Sequence, residues 1–99
     1  MILYIKILEW RLNMKIKEGY IVRKIGSKYY AVSASRAAEG GGMIALNETG
    51  AFIWDLFKEE NTVENAAKAL AEKYGIDIEI AMRDTEAYIK MLSEVEALA

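Results

Sequence analysis

Two carboxylates near the C-terminal end of the chain, Asp84 and Glu86, are close enough in sequence to suggest a general acid/base pair. They lie two positions apart in a segment with helical spacing, so they point to different faces of the helix and do not converge. The 99 residues contain no His and no Cys, which removes the commonest general base, the commonest zinc ligand and any thiol nucleophile. We therefore expect no catalytic residue, no metal site and no disulfide, and we expect that the protein is not an enzyme.

Two further patterns could hold a ligand. The glycine run at 40–42 is not a phosphate-binding loop, because no Lys-Ser/Thr pair follows it and a strand separates it from the next helix. Trp54, Phe57 and Tyr88 could form an aromatic ligand box, but aromatic residues at helical spacing are far more often core. We expect these three rings in the hydrophobic core, and no cofactor.

Charge is distributed unevenly along the chain. Residues 1–46 carry eight basic and three acidic side chains, whereas residues 47–99 carry five basic and twelve acidic ones, for a net charge of −2. The acidic half is poorly suited to contact a phosphate backbone, which needs Lys and Arg on the docking surface. We interpret the asymmetry as two solvated faces of opposite sign.

The first thirteen residues are apolar but are interrupted by three charged side chains and are too short to span a bilayer. They lack the basic start and small-residue cleavage site of a signal peptide, and the absence of Cys is compatible with the cytosol. We therefore expect a cytoplasmic protein without a membrane partner. Because Met14 could itself begin a domain, we divide the chain into an N-terminal extension, 1–13, and a domain, 14–99. Alternatively, the extension adds as a strand to this molecule or to a neighbour.

Three strands are predicted before any helix. Tyr20–Ile25 and residues 28–34 flank Gly26-Ser27, whose glycine suits the first central position of a type II′ hairpin turn. A glycine-rich loop at 35–42 leads to a third strand, Met43–Leu46. Pairing across the turn gives one face suited to packing against helices and a more mixed face suited to partial exposure. The first of these faces holds Ile21, Arg23, Ile25, Tyr30 and Val32.

Three helices are predicted after the strands. Asn47 is a good N-cap for a helix over about 48–58, and Thr62 caps a second helix that stops at Gly75. A third helix begins near Glu79, and its inner stripe has a period near 3.6. That stripe consists of Ala81, Thr85, Tyr88, Ile89, Leu92 and Val95. The predicted fold class is α+β, a winged helix-turn-helix-like three-stranded antiparallel sheet followed by three helices.

A winged-helix arrangement raises a DNA-binding regulator as an alternative function. The recognition helix would be Val63–Tyr74, where Glu64 and Glu72 cancel Lys68 and Lys73. Such a helix offers no net attraction to phosphate and few donors for base edges. A structural subunit that stabilises an enzyme by helix packing is a further alternative.

Four segments in order closely resemble the PqqD-like family: KIKEGYIVRKIGSKYYAV, GMIALNETGAFIWDLF, TVENAAKALAEKYGID and RDTEAYIKML. The resemblance covers residues 14 to about 98, and its most specific part is LNETG at 46–50 leading to Ile53-Trp54. The family consists of small precursor-peptide recognition domains, also called RiPP recognition elements, with a winged helix-turn-helix-like fold. The resemblance implies a non-catalytic chaperone that binds the leader of a ribosomally made peptide and delivers it to a modifying enzyme, often a radical S-adenosylmethionine enzyme.

In that family the leader pairs antiparallel with the third strand and lies between this strand and the third helix. Carried onto this chain, the resemblance implies a peptide-binding site on both elements. On the helix we choose residues that lie off the inner stripe, and Arg83 and Lys90 among them would favour leaders carrying Asp or Glu. The candidate site residues are Met43, Ile44, Ala45, Leu46, Arg83, Ala87, Lys90 and Met91.

Strand addition needs an open sheet edge and a flanking apolar groove, not particular catalytic residues, so a chain without His or Cys can perform it. Residues 2–12 are extended and apolar enough to imitate a leader, so at high concentration we expect a homodimer in which they occupy the third-strand edge of a second molecule. The 35–42 loop would also allow a swapped dimer.

Overall fold

The computed structural model describes residues 12–33 and 43–99. Strands come first in the chain and helices follow, which confirms the predicted α+β order. Predicted boundaries differ by one or two residues, with the first helix ending at Leu56 and the third beginning at Ile78. The elements are β1 (Tyr20–Ile25), β2 (Lys28–Ser33), β3 (Met43–Leu46), α1 (Glu48–Leu56), α2 (Val63–Tyr74) and α3 (Ile78–Glu94).

The three strands form an antiparallel sheet in the order β1-β2-β3. Ile25 pairs with Lys28 across a two-residue loop in which Gly26 has φ +65°. Glu96 is the one non-glycine described residue with positive φ, so Ser27 has negative φ. A type I′ turn needs positive φ at both central positions, and the loop therefore fits the predicted type II′ turn.

The sheet packs on the helices with the face opposite to the one predicted. Ala31 and Leu46 are buried on the inner face, and the Tyr20 ring meets Trp54 edge to face with 5.0 Å between centroids. The predicted inner face, which carries Ile21 and Ile25, is exposed instead. Arg23 lies in the middle of that face, and burying an unpaired guanidinium costs several kcal/mol, on the order of the gain from burying two Ile side chains.

The helices enclose a core in which Trp54, Phe57, Ile53, Leu70 and Leu92 are almost fully buried. The prediction of core positions for Trp54 and Phe57 is thereby confirmed. Both predicted helix caps are present as well. Asn47 Oδ1 accepts a hydrogen bond from Gly50 N–H at 2.7 Å, and Thr62 Oγ1 accepts one from Asn65 N–H at 3.1 Å.

Residues 14–17 hold the C-terminal end and the α1–α2 connection together. Met14 and Asn61 exchange two backbone hydrogen bonds of 2.8 and 2.9 Å, and Ile16 N–H donates to Phe57 O at 2.8 Å. Lys17 N–H donates to Ala97 O, and Ala99 N–H donates to Lys15 O, both at 2.8 Å. The division at 13/14 stays a prediction, because residues 1–11 lie outside the described residues. No helix in the described ranges combines the length and apolar character needed to cross a membrane.

Helices α1 and α3 meet at Gly50. A Cβ atom added to Gly50 would lie 2.7 to 2.9 Å from three atoms at the phenol end of Tyr88. These distances are shorter than side-chain carbon contacts allow, so only glycine at this position lets the Tyr88 ring lie against α1.

We expect Gly50→Ala to lower the free energy of unfolding by about 1–3 kcal/mol, because the added methyl group overpacks the contact with Tyr88. In a Tyr88→Ala background the same change should be neutral or stabilising by up to about 1 kcal/mol, since alanine is the better helix former. Urea denaturation of the two single variants and the double variant measures the coupling. Equal effects of Gly50→Ala in both backgrounds would contradict the contact.

Candidate functional site

One edge of β3 is unpaired among the described residues, since the strand pairs there with β2 alone. The backbone groups directed to this edge follow from the hairpin. Because the hairpin loop has two residues, Ile25 and Lys28 form a hydrogen-bonded pair. Hydrogen-bonded pairs alternate with non-hydrogen-bonded pairs along two antiparallel strands, and a residue that bonds to the strand on one side has no backbone group directed to the other side. Ile44 and Leu46, opposite Ala31 and Tyr29, therefore bond to β2. The N–H and C=O groups of Met43 and Ala45 point to the open edge.

A groove lies beside this edge, between β3, the start of α1 and α3. It consists of two cavities of about 390 and 380 Å³, and the side chains of Asn47 and Tyr88 line both. We call it the β3–α3 groove. Its lining residues are Lys28, Ala45, Leu46, Asn47, Thr49, Gly50, Ile53, Asp84, Ala87, Tyr88 and Met91.

Tyr88 is the aromatic residue of the β3–α3 groove. Its hydroxyl oxygen is buried and has no hydrogen-bond partner among the described residues. An unpaired buried hydroxyl costs about 1–3 kcal/mol. Burial also raises the pKa of the Tyr88 phenol above its ordinary value of 10.0.

Four of the eight predicted site residues line the β3–α3 groove: Ala45, Leu46, Ala87 and Met91. Leu46 is buried, whereas Ala45 is exposed. Ile44 lies half-buried on the inner face of the sheet and packs against the core. The Met43 side chain is exposed on the outer face of the sheet and contributes its backbone, not its side chain, to the open edge.

Arg83 and Lys90 lie elsewhere. They line a separate cavity of about 620 Å³ together with Leu12, Met14 and Val63. Ala87 lines both this cavity and the β3–α3 groove. The β3–α3 groove itself carries one base, Lys28, and one acid, Asp84. A preference of the groove for acidic peptides therefore has no support from Arg83 and Lys90.

The sequence reasoning missed Tyr88, Gly50 and Asp84 as groove residues. It assigned Tyr88 to the inner stripe, and this position does pack against the core while its phenol end reaches the groove. A signal was present at Gly50, because glycine inside a helix costs roughly 1 kcal/mol and indicates a close approach. Asp84 carried no comparable signal.

The described residues give little support to metal or nucleic-acid chemistry. Residues 12–33 and 43–99 contain no group of three His, Cys, Asp or Glu side chains placed to hold a metal ion. Both lysines of α2 have partners within the fold. Lys68 Nζ lies 3.4 Å from Glu64 Oε1, and Lys73 Nζ lies 5.3 and 5.8 Å from the ring centroids of Phe52 and Tyr74.

The sheet, the three helices and the β3–α3 groove define a winged-helix-like domain with an open sheet edge. The family model for coenzyme PQQ synthesis protein D (PqqD) matches residues 36–98. This is more than half of the chain, so the protein belongs to the PqqD family, as the sequence motifs predicted. A comparison with curated proteins gives no match.

Two solved structures share the fold. TbiB1 in complex with the TbiA(beta) leader peptide is 24% identical, with a TM-score of 0.68, and the match covers 86% of this chain and 94% of TbiB1. The PqqD truncation of Methylobacterium extorquens PqqCD is 17% identical, with a TM-score of 0.72, and the match covers 91% of this chain and 92% of that chain. The latter is a functional and stand-alone RiPP recognition element in solution. The predicted fold class is confirmed.

We expect the stability of the wild type to fall above pH 10, because the Tyr88 phenol is held neutral in the folded state and ionises near pH 10 in the unfolded chain. The contribution of the neutral Tyr88 phenol to the free energy of unfolding is present below pH 10. It is lost as pH rises, at up to about 1.4 kcal/mol per pH unit. Tyr88→Phe should lack this part of the slope and keep or raise the stability at pH 7. Urea denaturation at pH 7 to 11 measures both, and identical alkaline slopes would contradict the assignment.

Proposed function

We propose that this protein binds the leader segment of a ribosomally synthesised precursor peptide by strand addition to β3. The single observation that carries the proposal is the open edge of β3, with its unpaired backbone groups at Met43 and Ala45, beside a groove walled by α3. Membership of the PqqD family supports it, as does the shared fold with TbiB1, whose structure contains a leader peptide.

The register of β3 determines how a leader strand would sit. Residues of the leader opposite Met43 and Ala45 would exchange backbone hydrogen bonds with them, and their side chains would point to the outer face of the sheet. Leader residues opposite Ile44 and Leu46 would point inward to the β3–α3 groove, toward Ala87 and Tyr88. Main-chain bonds would supply affinity and the groove would supply specificity.

The proposed role is that of a non-catalytic cytoplasmic chaperone, which delivers the leader-bound precursor to a modifying enzyme, such as a radical S-adenosylmethionine enzyme. Absence of His and Cys from the sequence supports this, because the polar side chains of the groove are a phenol, a threonine hydroxyl, an amide, one carboxylate and one ammonium, without a nucleophile–base arrangement. In this role the reactive groups belong to the partner enzyme. No cofactor is required of this chain.

Replacing Ala45 by proline should abolish or weaken leader binding at least tenfold, because proline removes the edge N–H that the leader carbonyl would accept from. The fold should persist, since this N–H is not part of the β2–β3 ladder and proline is tolerated on edge strands. Isothermal titration calorimetry would use a synthetic peptide from the N-terminal part of a short open reading frame beside the gene. Circular dichroism would verify folding.

Ala45→Ser is the matched control, because it keeps the backbone N–H and a small side chain at the same position. It should bind the peptide within about threefold of the wild type. Equal binding by Ala45→Pro and Ala45→Ser would show that the peptide does not add to this edge.

We also propose that residues 2–12 compete for the same edge in a homodimer. A chain that starts at Met14 should then dimerise less than the full chain in sedimentation velocity, and leader peptide should dissociate the full-length dimer. Dimerisation of the truncated chain at the full-length affinity would contradict this proposal.

A further inference from the structure

The outer sheet face is the largest exposed apolar feature of the strands. Ile21, Ile25 and Met43 expose 57%, 66% and 69% of their surface. Together with Arg23, Tyr30 and Val32 they line a shallow cavity of about 610 Å³. Apolar patches of this kind on a folded domain mark interaction sites, because water contact with them is unfavourable.

The charges on this face are all of one sign. Arg23 lines its cavity, Lys28 lies by register at its end beside the β3–α3 groove, and neither β1, β2 nor β3 contains an Asp or Glu residue. Arg23 is paired in register with Tyr30. Arginine and tyrosine amid apolar side chains form the composition that carries most binding energy at protein interfaces. The complementary surface is apolar and bears carboxylates.

The outer sheet face is continuous with the open edge of β3. The side chains of Met43 and Ala45 lie on it, because they are opposite Val32 and Tyr30 in the register. A leader strand at this edge would place the side chains opposite Met43 and Ala45 on the same face. A strand antiparallel to β3 would leave the domain beside Met43, so the peptide that follows the leader would emerge at the rim of this face.

We propose that the outer sheet face, widened by the bound leader, is the docking surface for the peptide-modifying enzyme. The enzyme contributes an apolar surface with carboxylates opposite Arg23 and Lys28. This inference rests on the proposed leader binding and adds to it the surface through which the loaded domain is recognised. Docking there places the enzyme next to the point where the peptide to be modified emerges.

A second copy of this chain fits the face less well. In a symmetric dimer the same patch lies on both subunits, so Arg23 and Lys28 of one copy would approach those of the other. Like charges in an interface cost several kcal/mol. The charge pattern therefore favours an acidic partner over self-association.

The test compares two variants of the face with two matched controls elsewhere on the surface. Arg23→Glu and Ile25→Ser change the charge and the apolar area of the face. Lys58→Glu and Ile80→Ser make the same kinds of change at exposed positions on α1's C-terminal flank and on α3. The probe is the purified peptide-modifying enzyme encoded beside the gene, and its affinity for each full-length variant is measured by biolayer interferometry with and without the synthetic leader peptide.

The wild type should bind this enzyme more tightly with leader than without it. Arg23→Glu and Ile25→Ser should each weaken enzyme binding at least tenfold while binding the leader alone as the wild type does, and both controls should match the wild type. Unchanged enzyme binding by both face variants would overturn the docking surface and leave leader binding intact. Loss of a homodimer in those variants, without loss of enzyme binding, would assign the face to a second copy. Failure of the wild type to bind leader would overturn both proposals.

Discussion

The contact between Gly50 and Tyr88 is the packing constraint on which the β3–α3 groove depends. Asn47 alone separates β3 from α1, and its side chain caps the Gly50 amide. The position of the strand and that of the first helical turn are thereby fixed to each other. The Tyr88 ring then brings α3 against the same turn, at a distance that any Cβ would prevent. One wall of the groove is β3 and the other is α3. Both walls are positioned by the first turn of α1, which contains Gly50.

Opposite requirements of the two sheet faces organise the remainder of the domain. The inner face needs small or aromatic residues that fit the helices, as Ala31 and the Tyr20–Trp54 contact show. The outer face keeps Arg23 in water together with apolar side chains that have no partner within the described residues. The open edge of β3 joins these faces. A peptide strand added there would contact the groove with alternate side chains and extend the outer face with the others, so one binding event would alter two surfaces.

Local signals allowed much of the fold to be predicted from the sequence. The Gly26-Ser27 turn, the Asn47 and Thr62 caps and the Gly75 helix end depend on neighbouring residues, and all are present. The inward face of the sheet was predicted wrongly, because both faces carry apolar residues and the decision depends on the distant Trp54 and on the cost of burying Arg23. The division of α3 residues between the groove and the cavity at Arg83 and Lys90 could not be predicted either, since the rotation of a helix about its axis is set by tertiary packing.

Amide hydrogen exchange at β3, resolved by NMR with and without leader peptide, tests strand addition most directly. In the free monomer the amides of Ile44 and Leu46 should already be protected by β2, whereas those of Met43 and Ala45 should exchange rapidly. Saturating peptide should slow exchange at Met43 and Ala45 at least tenfold. All four β3 amides should then be protected. Unchanged rapid exchange at Met43 and Ala45, under conditions where calorimetry shows the peptide bound, would contradict leader binding by strand addition.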